Sequence, residues 1–562
     1  MWVPAAVPDD VREAAMALAN GLQLKIRDGV IAGGAAVGTD AFVIAYVQKV
    51  IQMNVHPREL VNNYALSDEV GAVQNSFALF RWCINPALYT YLLRTHPPSL
   101  VEPLMLQVDT DMERTILEMA AAPTAPWDDT DATAARFNHS VRRMHLHPEK
   151  GGMGVPELAR MAKCAYLGSI ALAGPVLREL LTHYPRYPAI NNAALVFLEA
   201  TALINAGTAA AAGIDSIDKL YVLGQPVFHL QRTLWRAKAQ SDYEAVRDAS
   251  PDKITRALVL SQACPEASAF LFTTSGKDRH LHITNPQMRI GVRDFLGLPT
   301  TGFYNPGNHI LHHMPGQMFR CTGCNPMEKP LRKNMLIEDD LGRHSLICGY
   351  KSLRGLRTYR HLLFCHALSD AVFHKHHQHP DGINRIEREP NLENLGFALQ
   401  QAHQQAPAGQ DRIVRGDFLL TRANGQRTLV DVTTTAVGKV SAKVSKASKR
   451  PGYPAKMAAK LKTAQYNKKW VIPNNVPLFI AAFEMTGRWS KKTAALVDSY
   501  LSHKFPDKDI NKSQSNGFSA ALDYARKRIS VNARICVASA VMALTECAHA
   551  GVLVPVDPPL DG

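Results

Sequence analysis

Apolar residues recur every three to four positions over most of the first 262 residues, the spacing of one buried helix face. Residues 9–20 read as a helix, preceded by Pro8 and followed by Gly21. Residues 22–26 alternate like a strand and predict a short hairpin turning at Asp28-Gly29. Helical spacing runs over 39–121, with breaks expected at Pro57, Pro86 and Pro97-Pro98. Residues 122–133, rich in Pro, Ala, Asp and Thr, read as an exposed loop. The helical period returns over 133–262, with breaks near 148–154 and 184–188. The most apolar stretch, 193–214, contains Glu199 and Asn205 and reads as a buried Ala-rich helix. A membrane span would need about 20 predominantly apolar residues, so none is expected.

Periodicity vanishes over 299–335, where Gly, Pro, His and Cys accumulate. A segment without a core-facing stripe needs another source of order, and a structural metal is the usual one. Beyond it, the pattern predicts a helix over 359–376, a hairpin, a strand over 477–483 and closing helices over 491–501 and 519–548. No internal repeat is present.

The hairpin is the most pointed local signal. Arg415-Gly416-Asp417-Phe418-Leu419-Leu420 and Thr428-Leu429-Val430-Asp431-Val432-Thr433 flank an Asn424-Gly425 turn. Thirteen residues separate Asp417 from Asp431. A two-residue turn would leave the two carboxylates one step out of register. A three-residue loop or a bulge would set them opposite on one face. Paired carboxylates beside a Lys-rich segment suit a divalent-metal phosphodiesterase, the metal held through oxygen ligands. The plain alternative is a surface hairpin with two solvated Asp.

The remaining chemistry weighs on that choice. Apolar content of 46% and charged content of 20% are ordinary for a globular protein, but the net charge of +14 points to a polyanionic partner. Nine Cys, an odd number without the paired spacings typical of secreted scaffolds, argue against a disulfide framework, and no signal-peptide pattern opens the chain. An intracellular setting is expected, the nucleus or else the cytoplasm. Cys321, Cys324, His344 and Cys348 form two short-spaced ligand pairs suited to a tetrahedral structural Zn²⁺. His309, His312 and His313 read as surface or nucleic-acid contacts, and Cys365 and His366 as packing residues. From 432 to 483 no Asp or Glu occurs, while Lys439, Lys443, Lys446, Lys449 and Lys460 recur. With Arg415 they form a candidate phosphate-binding set, giving affinity without sequence preference. Tyr453, Tyr466 and Trp470 suit either base stacking or a core. Thr433 stands where a restriction-type nuclease carries its Lys. A Lys from the following helix is the natural substitute, and Lys462 and Tyr466, four apart, share one helical face. Glu387 and Glu389 read as surface charges, with metal ligation as the alternative.

Assembled in order, these pieces resemble the C-terminal half of a non-LTR retrotransposon polyprotein of the branch with a restriction-like endonuclease. Val37-Gly38-Thr39-Asp40-Ala41-Phe42 resembles the segment beyond a reverse-transcriptase palm. Arg81-Trp82-Cys83-Ile84-Asn85-Pro86 and Tyr91-Leu92-Leu93-Arg94-Thr95 resemble the helical thumb. Residues 146–154 and 165–169 resemble later motifs of the same region. The Cys-Cys-His-Cys knuckle precedes the nuclease in that family, as here. Arg360-His361 and Glu389-Pro390 are similar to the nuclease's first helix and the approach to its first strand. Arg415-Gly416-Asp417 with Asp431 matches its paired-carboxylate motif, with Gly416 replacing Pro, and Lys462–Tyr466 its downstream element. Residues 477–487, with Glu484, resemble the last core strand and its turn.

The resemblance implies a mixed fold. A thumb-like helical region (1–175) and a helical linker (176–300) are followed by a zinc module (301–350). A restriction-like α/β nuclease core (351–500) and C-terminal helices (501–562) complete it. It implies a Mg²⁺- or Mn²⁺-dependent DNA endonuclease with Asp417, Asp431, Lys462 and Tyr466 in catalytic roles, and DNA or element RNA as partner. No aromatic-X-Asp-Asp element precedes the thumb-like region, so polymerase activity is not expected. Two other readings are a nucleic-acid-binding remnant without catalysis, which the missing Pro and Lys favour, and a helical scaffold.

Overall fold

The computed structural model describes residues 9–21, 28–32, 34–84, 87–126, 129–183, 230–276, 278–300, 318–321, 336–338, 351–373, 383–400, 415–436, 441–504, 515–549 and 553–556. The predicted helix over 193–214 and the histidines at 309, 312 and 313 lie outside these. Among the described residues no helix is long and apolar enough to cross a membrane.

The N-terminal half follows its apolar period into successive helices: Asp40–Met53, Val55–Leu66, Ala72–Leu79, Ala87–Thr95 and Pro98–Met119. Thr39 caps the first, its hydroxyl accepting from the Phe42 N–H at 3.3 Å. Pro98 opens the last, where its missing N–H leaves no bond unmade. Pro57 does not break the pattern. It sits in the first turn of Val55–Leu66, a position that tolerates proline, and the break falls at Asn54. The early hairpin is displaced from Asp28-Gly29. Its strands are Gly29–Ala32 and Ala35–Gly38, with Gly34 at φ +85° in the turn. Two glycine-containing turn signals compete here, and the apolar flanks Val30-Ile31 and Ala36-Val37 select the second. One apolar cluster runs from Ala36 to Leu298 and takes in Val531 from near the C-terminus.

The C-terminal half is built on a four-stranded mixed sheet. Its elements are α1 (Lys351–Leu368), β1 (Ile383–Arg388), β2 (Phe418–Arg422), β3 (Arg427–Thr435), α2 (Tyr453–Lys469), β4 (Leu478–Glu484), α3 (Lys491–Lys504) and α4 (Ser515–His549). The expected helix over 359–376 thus begins earlier and gives way after Leu368 to a wide turn, Ser369–Phe373. The strand order is β4-β3-β2-β1. The first three strands in sequence pair antiparallel, and β4 lies parallel to β3. Parallel neighbours need a crossover, and α2 lies within it.

Alternation along the strands separates two faces. Phe418, Leu420, Val430, Val432, Ala481 and Phe483 pack with Phe364, Tyr500 and Ile529 from α1, α3 and α4. Leu419, Leu429 and Ile480 pack with Tyr466 of α2 and Trp470 just after it. The aromatic pairs Phe364–Phe483 and Phe373–Phe418, with centroids 5.2 and 5.6 Å apart, knit the first face. Such pairs contribute ~0.5–1.5 kcal/mol beyond their buried area.

Arg534 of α4 joins the halves. Its guanidinium is wholly buried and donates to Asp294 at 2.5 Å and to the Thr486 carbonyl at 2.9 Å. It also lies 5.1 and 5.4 Å from the ring centroids of Phe270 and Phe295. Removing one member of such a pair leaves a buried charge without compensation, which costs about 3–5 kcal/mol. Asp294→Ala is therefore expected to lower the urea midpoint strongly, and Asp294→Asn, which keeps an acceptor, less so. Equal small losses in both variants would show that the pair does not hold the halves together.

Candidate active site

The hairpin between β2 and β3 closes through three residues, Ala423, Asn424 and Gly425. Arg422 N–H bonds the Gln426 carbonyl at 2.8 Å, and Gly425 N–H bonds the Arg422 carbonyl at 2.9 Å. Gly425 has φ +78°, a conformation that favours glycine. The register pairs Phe418 with Val430, so Asp417, one residue before β2, stands opposite Asp431. Both positions share the parity of Leu419 and Leu429 and belong to the α2 face of the sheet. The three-residue loop is what aligns them.

Side chains from two helices meet this pair. Lys462 Nζ lies 3.1 Å from Asp431 Oδ2, and the Tyr466 hydroxyl donates to Asp431 Oδ1 at 3.0 Å. Lys462 also lies 5.9 Å from the Tyr466 ring centroid. From α1, His361 Nε2 lies 2.9 Å from Asp417 Oδ1, and Cys365 Sγ lies 3.5 Å from the same nitrogen. Asp417 Oδ2 accepts from the Val432 N–H at 2.5 Å, so this side chain ends the hairpin ladder. The strand itself offers Thr433, two residues after Asp431, and the lysine that reaches Asp431 comes from α2.

Burial grades the carboxylates: the side chain of Asp431 is 5% exposed and that of Asp417 17%. Burial, then the negative charge of Asp417, pushes the Asp431 carboxyl up to about 6, against a downward pull from Lys462. Burial and then Asp431 push the Tyr466 hydroxyl up, so it remains a donor. The hydrogen bond to Asp417 raises His361. Burial, then the two carboxylates, pushes the Cys365 thiol up.

Gly416, just before Asp417, makes a backbone contact of its own. Its N–H donates to the Pro390 carbonyl at 3.1 Å, a bond proline cannot make. A Cβ there would meet Leu429 Cδ1 at 2.6 Å. Glu484, at the end of β4, fixes α2. It is fully buried, accepts from the Ala455 N–H at 3.2 Å in the first turn of α2, and takes a short hydrogen bond from Ser261. Through the bond to the first turn of α2, Glu484 sets the helix that carries Lys462 and Tyr466.

The other expected residues are dispersed. Arg415 is exposed and pairs with Glu389 at 3.0 Å. Lys446, Lys449 and Lys460 are exposed on the segment between β3 and β4. Lys439 and the side chain of Lys443 lie outside the described residues. So do the zinc ligands Cys324, His344 and Cys348 and the side chain of Cys321, whose backbone ends the strand Met318–Cys321. Tyr466 and Trp470 are buried, and Tyr453 packs beside Ala257 and Leu258, so these aromatics are core. Glu387 has Arg385 within 3.7 Å. Cys365 is buried as expected, but His366 is exposed, because it falls on the solvent side of α1. His361, though quoted for the first helix, was not foreseen as a site residue. Its signal is the His361–Cys365 spacing of four, which puts both on one helix face.

Metal ions suit this donor set. Asp417 and Asp431 stand opposite in register, near enough for the charge of one to act on the other, and both offer carboxylate oxygens. The native state holds the Asp431 proton more tightly than the unfolded chain does. The resulting stability is present in full below about 3.8 and is lost as pH rises through about 6. Asp431→Asn keeps an oxygen for Tyr466. It is expected to stabilise the metal-free protein at about pH 8 by on the order of 1–3 kcal/mol and to change little near pH 4. A variant less stable than wild type at the higher pH would mean that the Lys462 pair outweighs burial.

Set against protein-family models and against curated proteins, the chain matches none.

Proposed function

We propose that this protein is a divalent-metal-dependent DNA endonuclease that nicks one phosphodiester bond, built on a restriction-like core from a non-LTR retroelement. The observation that carries the reading is the alignment of Asp417 opposite Asp431 with the Lys462 ammonium 3.1 Å from Asp431. The order of α1, three antiparallel strands, α2 and a parallel β4 supports it. So does the appearance of Lys462 where the strand offers only Thr433.

Asp417 and Asp431 would hold Mg²⁺ or Mn²⁺, which supplies an activated water and neutralises phosphate charge. Tyr466 holds Asp431 in one orientation through Oδ1. Lys462, with 31% of its side chain exposed, is close enough to solvent to meet a phosphate oxygen or orient the attacking water. Glu484 keeps α2 in place beneath it. The exposed Lys446, Lys449 and Lys460 offer phosphate contacts that release counterions. On this reading the Cys321, Cys324, His344 and Cys348 knuckle binds Zn²⁺ and positions nucleic acid in the nucleus.

A binding remnant without catalysis is the second reading. One observation favours it: each carboxylate already has a basic partner within the protein, Lys462 for Asp431 and His361 for Asp417. Plasmid nicking separates the two. With Mg²⁺ or Mn²⁺ the wild type is expected to convert supercoiled plasmid to open circle. Asp417→Ala should abolish this, and Lys462→Ala should slow it by roughly 10²-fold or more. Salt-sensitive DNA binding without nicking would leave the remnant reading standing.

A further inference from the structure

His361, Cys365 and Asp417 bring a nitrogen, a sulfur and an oxygen together at the edge of the proposed active site. These three donor atoms all lie within 4.8 Å of one another. His361 Nε2 is 2.9 Å from Asp417 Oδ1 and 3.5 Å from Cys365 Sγ. Around a tetrahedral ion with the usual bonds to N, O and S, neighbouring ligand atoms stand roughly 3.3–3.8 Å apart. The cluster is thus near that spacing before any ion enters.

We propose that His361 and Cys365 join Asp417 as metal ligands, so that these three donor atoms prefer a borderline, thiophilic divalent ion such as Zn²⁺ or Co²⁺ to Mg²⁺. Mg²⁺ prefers oxygen ligands in octahedral array, whereas imidazole and thiolate suit the later transition metals. The helix supplies the geometry. Residues four apart on α1 present both donors to the same side, and Cys365, buried at its inner face, has its sulfur 3.5 Å from His361 Nε2. Asp431 lies near enough for its charge to act on both residues and adds negative potential for a cation. On binding, the thiol proton and any proton on Nε2 leave to solvent, and the ion takes the place of the direct His361–Asp417 hydrogen bond. This rests on the endonuclease reading for its purpose, but not for its chemistry.

The test is titration of the full chain with Co²⁺, followed by absorption. Thiolate–cobalt charge transfer gives a near-ultraviolet band, and d–d bands report coordination geometry. The comparison is between wild type, His361→Ala and Cys365→Ser, because the cysteines at 321, 324 and 348 also offer sulfur. The expected result is that wild type binds one equivalent more than either variant, with additional thiolate and tetrahedral intensity in the difference spectrum. Excess Mg²⁺ should not remove that intensity, and stoichiometric Zn²⁺ should. Unchanged far-ultraviolet circular dichroism in His361→Ala keeps the comparison valid if Cys365→Ser folds poorly. Identical stoichiometry and spectra in wild type and His361→Ala would overturn the proposal, leaving His361–Asp417 an ordinary ion pair. Plasmid nicking in Mg²⁺ is scored separately. Cobalt bound at Cys365 without nicking by any ion supports the metal site and defeats the endonuclease reading. Nicking with no cobalt difference does the reverse.

Discussion

A buried guanidinium organises this molecule. Arg534 reaches from the long C-terminal helix to Asp294 in the N-terminal half and to Thr486 beside the last sheet strand. Burial lowers the guanidinium's affinity for its proton, and Asp294 restores part of it. A charge in that position cannot be left half-paired, so three segments distant in sequence are held in one arrangement. Phe270 and Phe295 stack around it, and Val531, three residues earlier on the same helix, enters the N-terminal core.

That join reaches the candidate site through Glu484. Ser261 in the N-terminal half and the first turn of α2 both bond this one carboxylate. Arg488 adds bonds to the carbonyls of Ser261 and Leu260, at 2.7 and 3.0 Å. The ammonium of Lys462 is thus placed by contacts that begin outside the sheet it serves. A site residue carried on a helix rather than on a strand needs such an anchor, because strand register alone does not determine where a helix points.

Much of this was legible in the chain. The strand pair around Asn424-Gly425 announced itself through alternation and turn chemistry, and helices such as Pro98–Met119 through their period. Lys462 and Tyr466, four apart, were legible as sharing one helical face, while the choice among the lysines needed the fold. What stayed hidden depends on contacts distant in sequence. His361 meets Asp417 across 56 residues, and Glu484 meets Ser261 across 223. Neither distance leaves a local pattern. Gly416 carries no local signal of its task, which its N–H and the crowding by Leu429 reveal only in the fold. The early hairpin was misplaced because two adjacent turn signals competed and local propensity could not rank them.

The hairpin loop has a consequence for how this chain can vary. Ala423, Asn424 and Gly425 are exposed and touch nothing in the site. Their identities matter only to the turn itself, where Asn424 Oδ1 accepts from the Gln426 N–H at 3.0 Å and residue 425 is left-handed. Their number matters beyond it. Side chains on a strand alternate, so one residue added or lost would tend to shift the register by a step and send one carboxylate to the face of α1, α3 and α4. The loop works as a counting device: substitution there acts on the turn alone, while a single-codon insertion would dismantle a site it never contacts.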